Sequence, residues 1–100
     1  MMVLGEINQG KILSMTGLKI NAVSLFVGNP TIGNKAFSAN PGIGIAIPVR
    51  VYIFEAEKCE VKVSYVKPST QFAPFQNKQI IMIGQKMDKK LGALTTMLQK

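Results

Sequence analysis

The stretch Pro41–Pro68, PGIGIAIPVRVYIFEAEKCEVKVSYVKP, reads as one β-hairpin bounded by prolines. From Cys59 onward the apolar positions Cys59, Val61, Val63 and Tyr65 alternate with Glu60, Lys62 and Ser64. That is the period of a strand with one buried and one wet face. The partner segment, Ile45–Phe54, is apolar almost throughout, carries Arg50 as its one charge and is rich in β-branched residues. Such a run suits a largely covered, central strand. Glu55–Lys58 is polar and lacks an Asn-Gly pair, so the spacing predicts a four-residue loop rather than a tight primed turn. Pro48 has no N–H to give a ladder, which places it at a strand start, a bulge or an edge-facing position and predicts an irregularity there. Pro68 ends the pairing after Tyr65.

Working outward, Met2–Ile7 is a short strand candidate, followed by a polar turn at Asn8–Gly10 and a single helical turn, Lys11–Met15, closed by Gly17. Asn21–Val27, NAVSLFV, reads as a strand ending at Gly28-Asn29-Pro30. Asparagine followed by proline matches a helix N-cap with proline at the first helical position, so a short helix is expected over Pro30–Ala39, stopped by Asn40-Pro41-Gly42. After Pro68, STQFAPFQN reads as a proline-interrupted loop presenting Phe72 and Phe75 for packing. The last element is an amphipathic helix: Ile80, Ile83, Met87, Leu91, Leu94 and Leu98 recur at steps of three and four, while Lys86, Lys89, Lys90 and Gln99 lie mostly away from them. Gly84 and Gly92 each weaken it by about 1 kcal/mol relative to alanine, so its stability is expected to come from docking.

Composition bounds the fold class and the chemistry. One hundred residues suit a single domain, 1–100, and 47% hydrophobic against 17% charged residues sets the chain apart from disordered sequences. The single cysteine, Cys59, cannot form an intramolecular bridge and falls on the expected buried face of a strand, so it reads as a core thiol in a reducing compartment. No signal-peptide pattern opens the chain and no run approaches the length of a transmembrane helix, which points to a cytoplasmic protein with no membrane partner. With no histidine, one cysteine and one aspartate there is no triad, zinc cluster or acid pair at motif spacing; no catalytic residue, metal or cofactor is expected.

The candidate binding residues are few. Gly42 and Gly44 lack the lysine-bearing turn of a phosphate loop and read as places where backbone approaches closely. Asn29 at a helix N-terminus is an anion site in principle, set against its simpler role as a cap. Arg50, inside an apolar strand, must reach solvent or a partner, because an unpaired buried charge costs several kcal/mol. Two readings stay open: Arg50, with Tyr52 and the facing Tyr65 and Lys67, binds an anionic ligand, or Glu55, Glu60 or a carbonyl satisfies it. The net charge of +7 and the lysines at 78, 86, 89, 90 and 100 give a basic C-terminal face that would attract nucleic acid or an acidic partner. Those lysines are not interleaved with aromatics, and a solvated helix face reads better.

The order Gly28-Asn29-Pro30, Asn40-Pro41, IPVRV at 47–51, VSY at 63–65, Pro68 and a closing amphipathic helix with Lys86-Met87 resembles the domain of unknown function 302 family over essentially the whole chain. The resemblance implies an α+β fold: an antiparallel sheet of about four strands with a C-terminal amphipathic helix and a short helix on one face, of TATA-binding-protein-like architecture. It also implies a dimer. The family pattern normally begins with one more strand and a long helix ahead of the segment matching Val3–Ile7. The expectation here is a shortened member, or a start placed late at an internal methionine, leaving an apolar sheet face for a partner to cover. Where family members often carry an Asn-Asp pair, this chain has Val66-Lys67, which sets aside any binding role for such a pair. The functional expectation is a non-enzymatic binding or interaction module, dimeric through its sheet, with a small anionic or apolar ligand beside Asn29, Arg50 and Tyr65. The alternative is a weak nucleic-acid or acidic-partner binder using the lysine-rich C-terminal helix.

Overall fold

Along the chain run β1 (Met2–Ile7), α1 (Gln9–Ser14), β2 (Ala22–Gly28), α2 (Pro30–Ala39), a 3-10 segment (Pro41–Ile45), β3 (Val49–Ala56), a 3-10 turn (Glu57–Cys59), β4 (Glu60–Ser64), α3 (Pro68–Phe72), a second short 3-10 turn (Ala73–Phe75) and α4 (Lys78–Leu98). This computed structural model describes residues 2–98, and only the backbone of Lys58 and of residues 95–98. The Leu98 side chain, Gln99 and Lys100, assigned above to the faces of the last helix, lie outside the described residues.

Among the described residues, asparagine side chains start four helical segments. The Asn8 side chain accepts from the Lys11 N–H at 2.9 Å, that of Asn29 from Thr31 at 2.9 Å and Ile32, that of Asn40 from Gly42 at 2.8 Å, and that of Asn77 from Gln79 at 2.9 Å and Ile80 at 3.1 Å. Each satisfies N–H groups that the first helical turn leaves unpaired. The close of α1 is equally local: Gly17 takes φ 87°, the Leu18 N–H donates to the Leu13 carbonyl, and the Gly17 N–H donates to that of Ser14. This is a left-handed C-terminal cap that glycine makes without strain. The start of α3 is capped from a distance, by the Asp88 carboxylate of α4 accepting from the Ser69 N–H at 3.0 Å.

The four strands form one antiparallel meander in the order β1-β2-β3-β4, with a bulge in β1 between Val3 and Gly5. Val27 pairs with Val49, Leu25 with Val51, Val23 with Ile53, and Ile53 with Val63. Strand side chains alternate between faces, so these residues share the inner face. That face packs on α2, α3 and α4: Val49, Val51, Ala36, Ile43, Phe72, Ile80, Met87 and Leu91 form one buried cluster. Burial of each large apolar side chain contributes roughly 1.5–3 kcal/mol, which anchors α4 despite its glycines. Gly84 does more than weaken the helix. A Cβ there would stand 3.0 Å from the Cα of Ser69 and 3.0 Å from the Phe72 ring, so its absence lets α3 lie directly on α4.

The result is the α+β architecture expected, with the sheet, the short helix over Pro30–Ala39 and the C-terminal helix in place. Several local readings are corrected. Ile45 is not a strand residue: Asn40 and Pro41 start a 3-10 segment instead, and β3 begins only after a cis peptide bond between Ile47 and Pro48, the irregularity expected at Pro48. Gly44 allows this segment to approach α2, since a Cβ there would meet the Phe37 ring at 3.3 Å. The hairpin connection is three residues, not four, because Ala56 still pairs with Glu60. Cys59 is therefore in the turn, at φ 60° and exposed, rather than in the core. A three-residue hairpin ending in a left-handed residue explains the shift. Val61 is also exposed, leaving Val63 and Tyr65 to pack on the core. Most of the run 69–77, expected as a loop, is helical as far as Phe75, since Pro68 and Pro74 each occupy a first-turn position where no N–H is needed. Phe72 and Phe75 do pack as expected, fully and partly buried. No helix among the described residues is long and apolar enough to cross a membrane.

Candidate functional site: a groove on the outer sheet face

The outer face of the sheet carries the alternate set of residues: Ala22, Ser24 and Phe26 of β2, Arg50, Tyr52 and Phe54 of β3, and Lys62 and Ser64 of β4. Register sets them in rows. Phe26 lies opposite Arg50, Ser24 opposite Tyr52 and Tyr52 opposite Ser64. The helix α1 flanks this face. Its close approach depends on Gly10, where a Cβ would fall 2.4 Å from the Ile20 carbonyl oxygen. The next residue back, Gln9, thereby reaches the sheet and donates its Nε2–H to the Ser24 Oγ.

Between α1 and the segment 45–48 the outer face opens into a groove of about 680 Å³. Arg50 and Tyr52 stand in it with Phe26, Ser24, Ser64 and Gln9, and Ile45, Tyr65 and Gln71 contribute at its margin. Among the described residues Arg50 is the one charged side chain of the lining. Its guanidinium carbon sits 5.2 Å from the centroid of the Phe26 ring, a cation–π contact that holds the charge above the sheet. The Tyr52 and Phe54 rings stack at 4.9 Å and 15°, stiffening the next row. Among the described residues Arg50 makes no ion pair. Glu55, expected as a partner, belongs to the inner-face register and accepts instead from the Asn21 side-chain amide at 2.9 Å. Glu60 pairs opposite Ala56 at the far end of the hairpin. The cation is thus exposed beside an aromatic floor.

Three of the five expected ligand-binding residues, Arg50, Tyr52 and Tyr65, line this groove, and two do not. Asn29 lies outside the lining, and its own side-chain Oδ1 accepts from the Thr31 and Ile32 N–H groups at the α2 start, filling the position an anion would take. Lys67 stands exposed ahead of α3, outside the lining. Tyr65 does not face Tyr52, since Ser64 does; it packs against the core and reaches the groove at its edge. Gln9, Ser24 and Phe26 were missed. The signal for Ser24 is a lone serine inside AVSLFV, which marks the face that β2 turns away from α2, α3 and α4.

The basic residues Lys78, Lys86, Lys89 and Lys90 are all exposed on α4. They cover roughly 120° of its circumference, opposite the Ile80, Met87 and Leu91 stripe. The aromatic residues Phe26, Tyr52 and Phe54 are on the other side of the molecule, beyond the sheet. Among the described residues no group of three or more His, Cys, Asp or Glu side chains is placed to hold a metal ion.

Among curated proteins none matches this chain. Of solved structures, the crystal structure of an uncharacterized conserved DUF302 protein from Bacillus stearothermophilus is similar, with a TM-score of 0.83 and 22% identity over 94% of this chain and 74% of that one. The likeness extends to the fold. The family model for the domain of unknown function DUF302 matches residues 1–98, and the chain belongs to that family.

Proposed function

We propose that this protein is a binding module for a small amphipathic acid, held in the groove on the outer face of its sheet. The observation that carries the reading is the isolation of Arg50: one cation, without an acidic partner among the described residues, in a concave surface otherwise lined by apolar and neutral polar side chains. A single guanidinium suits a carboxylate, which it binds through two parallel hydrogen bonds. Among the described residues no second cation lines the groove to match a dianionic phosphate. Ile20, Phe26, Ile45, Pro48 and Val66 supply surface for an apolar body. Calorimetric titration with 3-phenylpropionate tests it. Binding is expected in the native protein, at least about tenfold weaker binding for the neutral amide of the same acid, and loss of that difference in Arg50→Ala. Binding that ignores both the charge of the ligand and Arg50 would overturn the reading.

A dimer accompanies this reading, supported by β1, an edge strand whose Met2, Val3 and Leu4 are each more than half exposed at 51%, 58% and 52%. Sedimentation at micromolar concentration is expected to show a two-subunit species, and a monomer would remove this part. A cytoplasmic setting fits the free, exposed thiol of Cys59. The exposed lysines of α4 support a second reading, weak binding of nucleic acid or an acidic partner, which must weaken steeply as salt rises.

A further inference from the structure

Gln9 and Ser24 contribute neither charge nor apolar surface, yet both line the groove. Ser24 is fully buried, the one polar residue so placed among the described residues, and its hydroxyl is engaged by the Gln9 amide. The other end of that amide, Oε1, is buried with no hydrogen-bond partner among the described residues. Turning the amide over does not cure this. The Ser24 hydroxyl would then donate to Oε1, and the NH2 end would be left instead. One end of the group lacks a partner in either orientation, although buried polar groups in folded proteins are nearly always satisfied.

We infer that Gln9 is the specificity-determining residue of the groove and that it recognises a hydroxyl group carried by the acid bound at Arg50. A hydroxyl both donates and accepts, so it completes the amide in either orientation. The terminal torsion of glutamine is broad, which lets the amide turn toward an occupant without moving α1. The sheet sets the spacing. Ser24 is diagonal to Arg50, because Phe26 lies opposite Arg50 and Ser24 opposite Tyr52, and diagonal neighbours are about 7–8 Å apart. The occupant is therefore a hydroxy acid with its two polar groups at opposite ends of a short apolar body, the body lying along the Phe26 and Tyr52 rows. This rests on the acid-binding reading above and adds the second anchor.

The test compares 3-(4-hydroxyphenyl)propionate with 3-phenylpropionate by calorimetry. The native protein is expected to prefer the hydroxy acid by about tenfold, since a site with an unpaired polar group discriminates against a ligand that leaves it unpaired. In Gln9→Leu the preference is expected to fall below about twofold while Arg50→Ala weakens both acids alike. Ser24→Ala, a smaller change, is expected to narrow the preference too and decides the matter if Gln9→Leu loses its native circular dichroism. Equal binding of both acids with the Arg50 dependence intact overturns the role of Gln9 and leaves the acid site standing. A preference that survives both Gln9→Leu and Ser24→Ala overturns it as well. Binding of neither acid to the native protein overturns the acid site and this inference together.

Discussion

The two faces of this sheet are built from the same four strands and end in opposite conditions. On the inner face Val49 and Val51 are 1% and 2% exposed beneath Phe72, Ile80 and Met87. On the outer face Arg50, between those valines in sequence, is exposed, and Tyr52 and Phe26 are half-buried. Helices α2, α3 and α4 press on the first, whereas the six-residue α1 flanks the second. The difference separates stability from recognition: side chains that hold the fold and side chains free to meet a ligand alternate along one strand. A substitution on each face should therefore move one property and spare the other.

The largest effect is expected from Phe72→Ala. Phe72 is fully buried in the inner cluster and supports the contact between α3 and α4 at Gly84. Removing its ring should cost about 3–5 kcal/mol, read as a drop in the urea midpoint, because a packed core collapses only partly around such a cavity. A loss below about 1 kcal/mol would show that α3 is not part of the core and that the inner face is less completely covered than its burial indicates.

Gly10→Ala tests the flank of the outer face. The added Cβ would meet the Ile20 carbonyl oxygen at 2.4 Å and the Ala22 nitrogen at 3.3 Å, both backbone atoms that have no rotamer to change. The helix must move away from β2, at about 1–3 kcal/mol. Amide chemical shifts should change in α1, residues 18–22 and β2 while those of α4 stay in place. Gln9 would leave Ser24, so the hydroxy-acid preference should vanish with the shift. Changes spread evenly through α4 would mean that the two faces are mechanically coupled.

How far these faces were legible in the sequence follows from what sets each of them. The inner face is written in periodicity: Ile80, Ile83, Met87 and Leu91 repeat with the helix, and Val49, Val51 and Ile53 alternate with the strand. Capping is written too, since Asn29-Pro30 marks the helix over Pro30–Ala39 to the residue. What misled was local conformation with no period. Ile45 is apolar and β-branched, like a strand residue, but Asn40-Pro41-Gly42 starts a 3-10 segment that carries it to 90% exposure. Cys59 extended the apolar alternation of β4 by one step and belongs instead to the turn, where φ 60° is set by hairpin geometry. The groove was legible only in part, through Arg50, Tyr52 and Tyr65. Gln9 and Ser24 are 15 residues apart in sequence and meet only because Gly10 lets α1 approach β2, a packing effect that strand periodicity does not encode.

The smallest change in stability, and the sharpest contrast between the faces, is expected from Ile45→Ser. Ile45 is 90% exposed, so truncating it removes almost no buried area and stability should stay within about 0.5 kcal/mol of the native protein. An isoleucine so exposed is costly to solubility and contributes nothing to the fold, yet it lines the margin of the groove near Pro48 and Arg50. If it closes over the apolar body of a bound acid, its loss should weaken 3-phenylpropionate by about three- to tenfold, the range expected for part of one apolar side chain buried on binding. The Arg50 dependence should persist, because the charge is untouched. Unchanged affinity in Ile45→Ser would move the apolar contact inward, to Phe26 and Ile20, and confine recognition to the part of the outer face that α1 flanks.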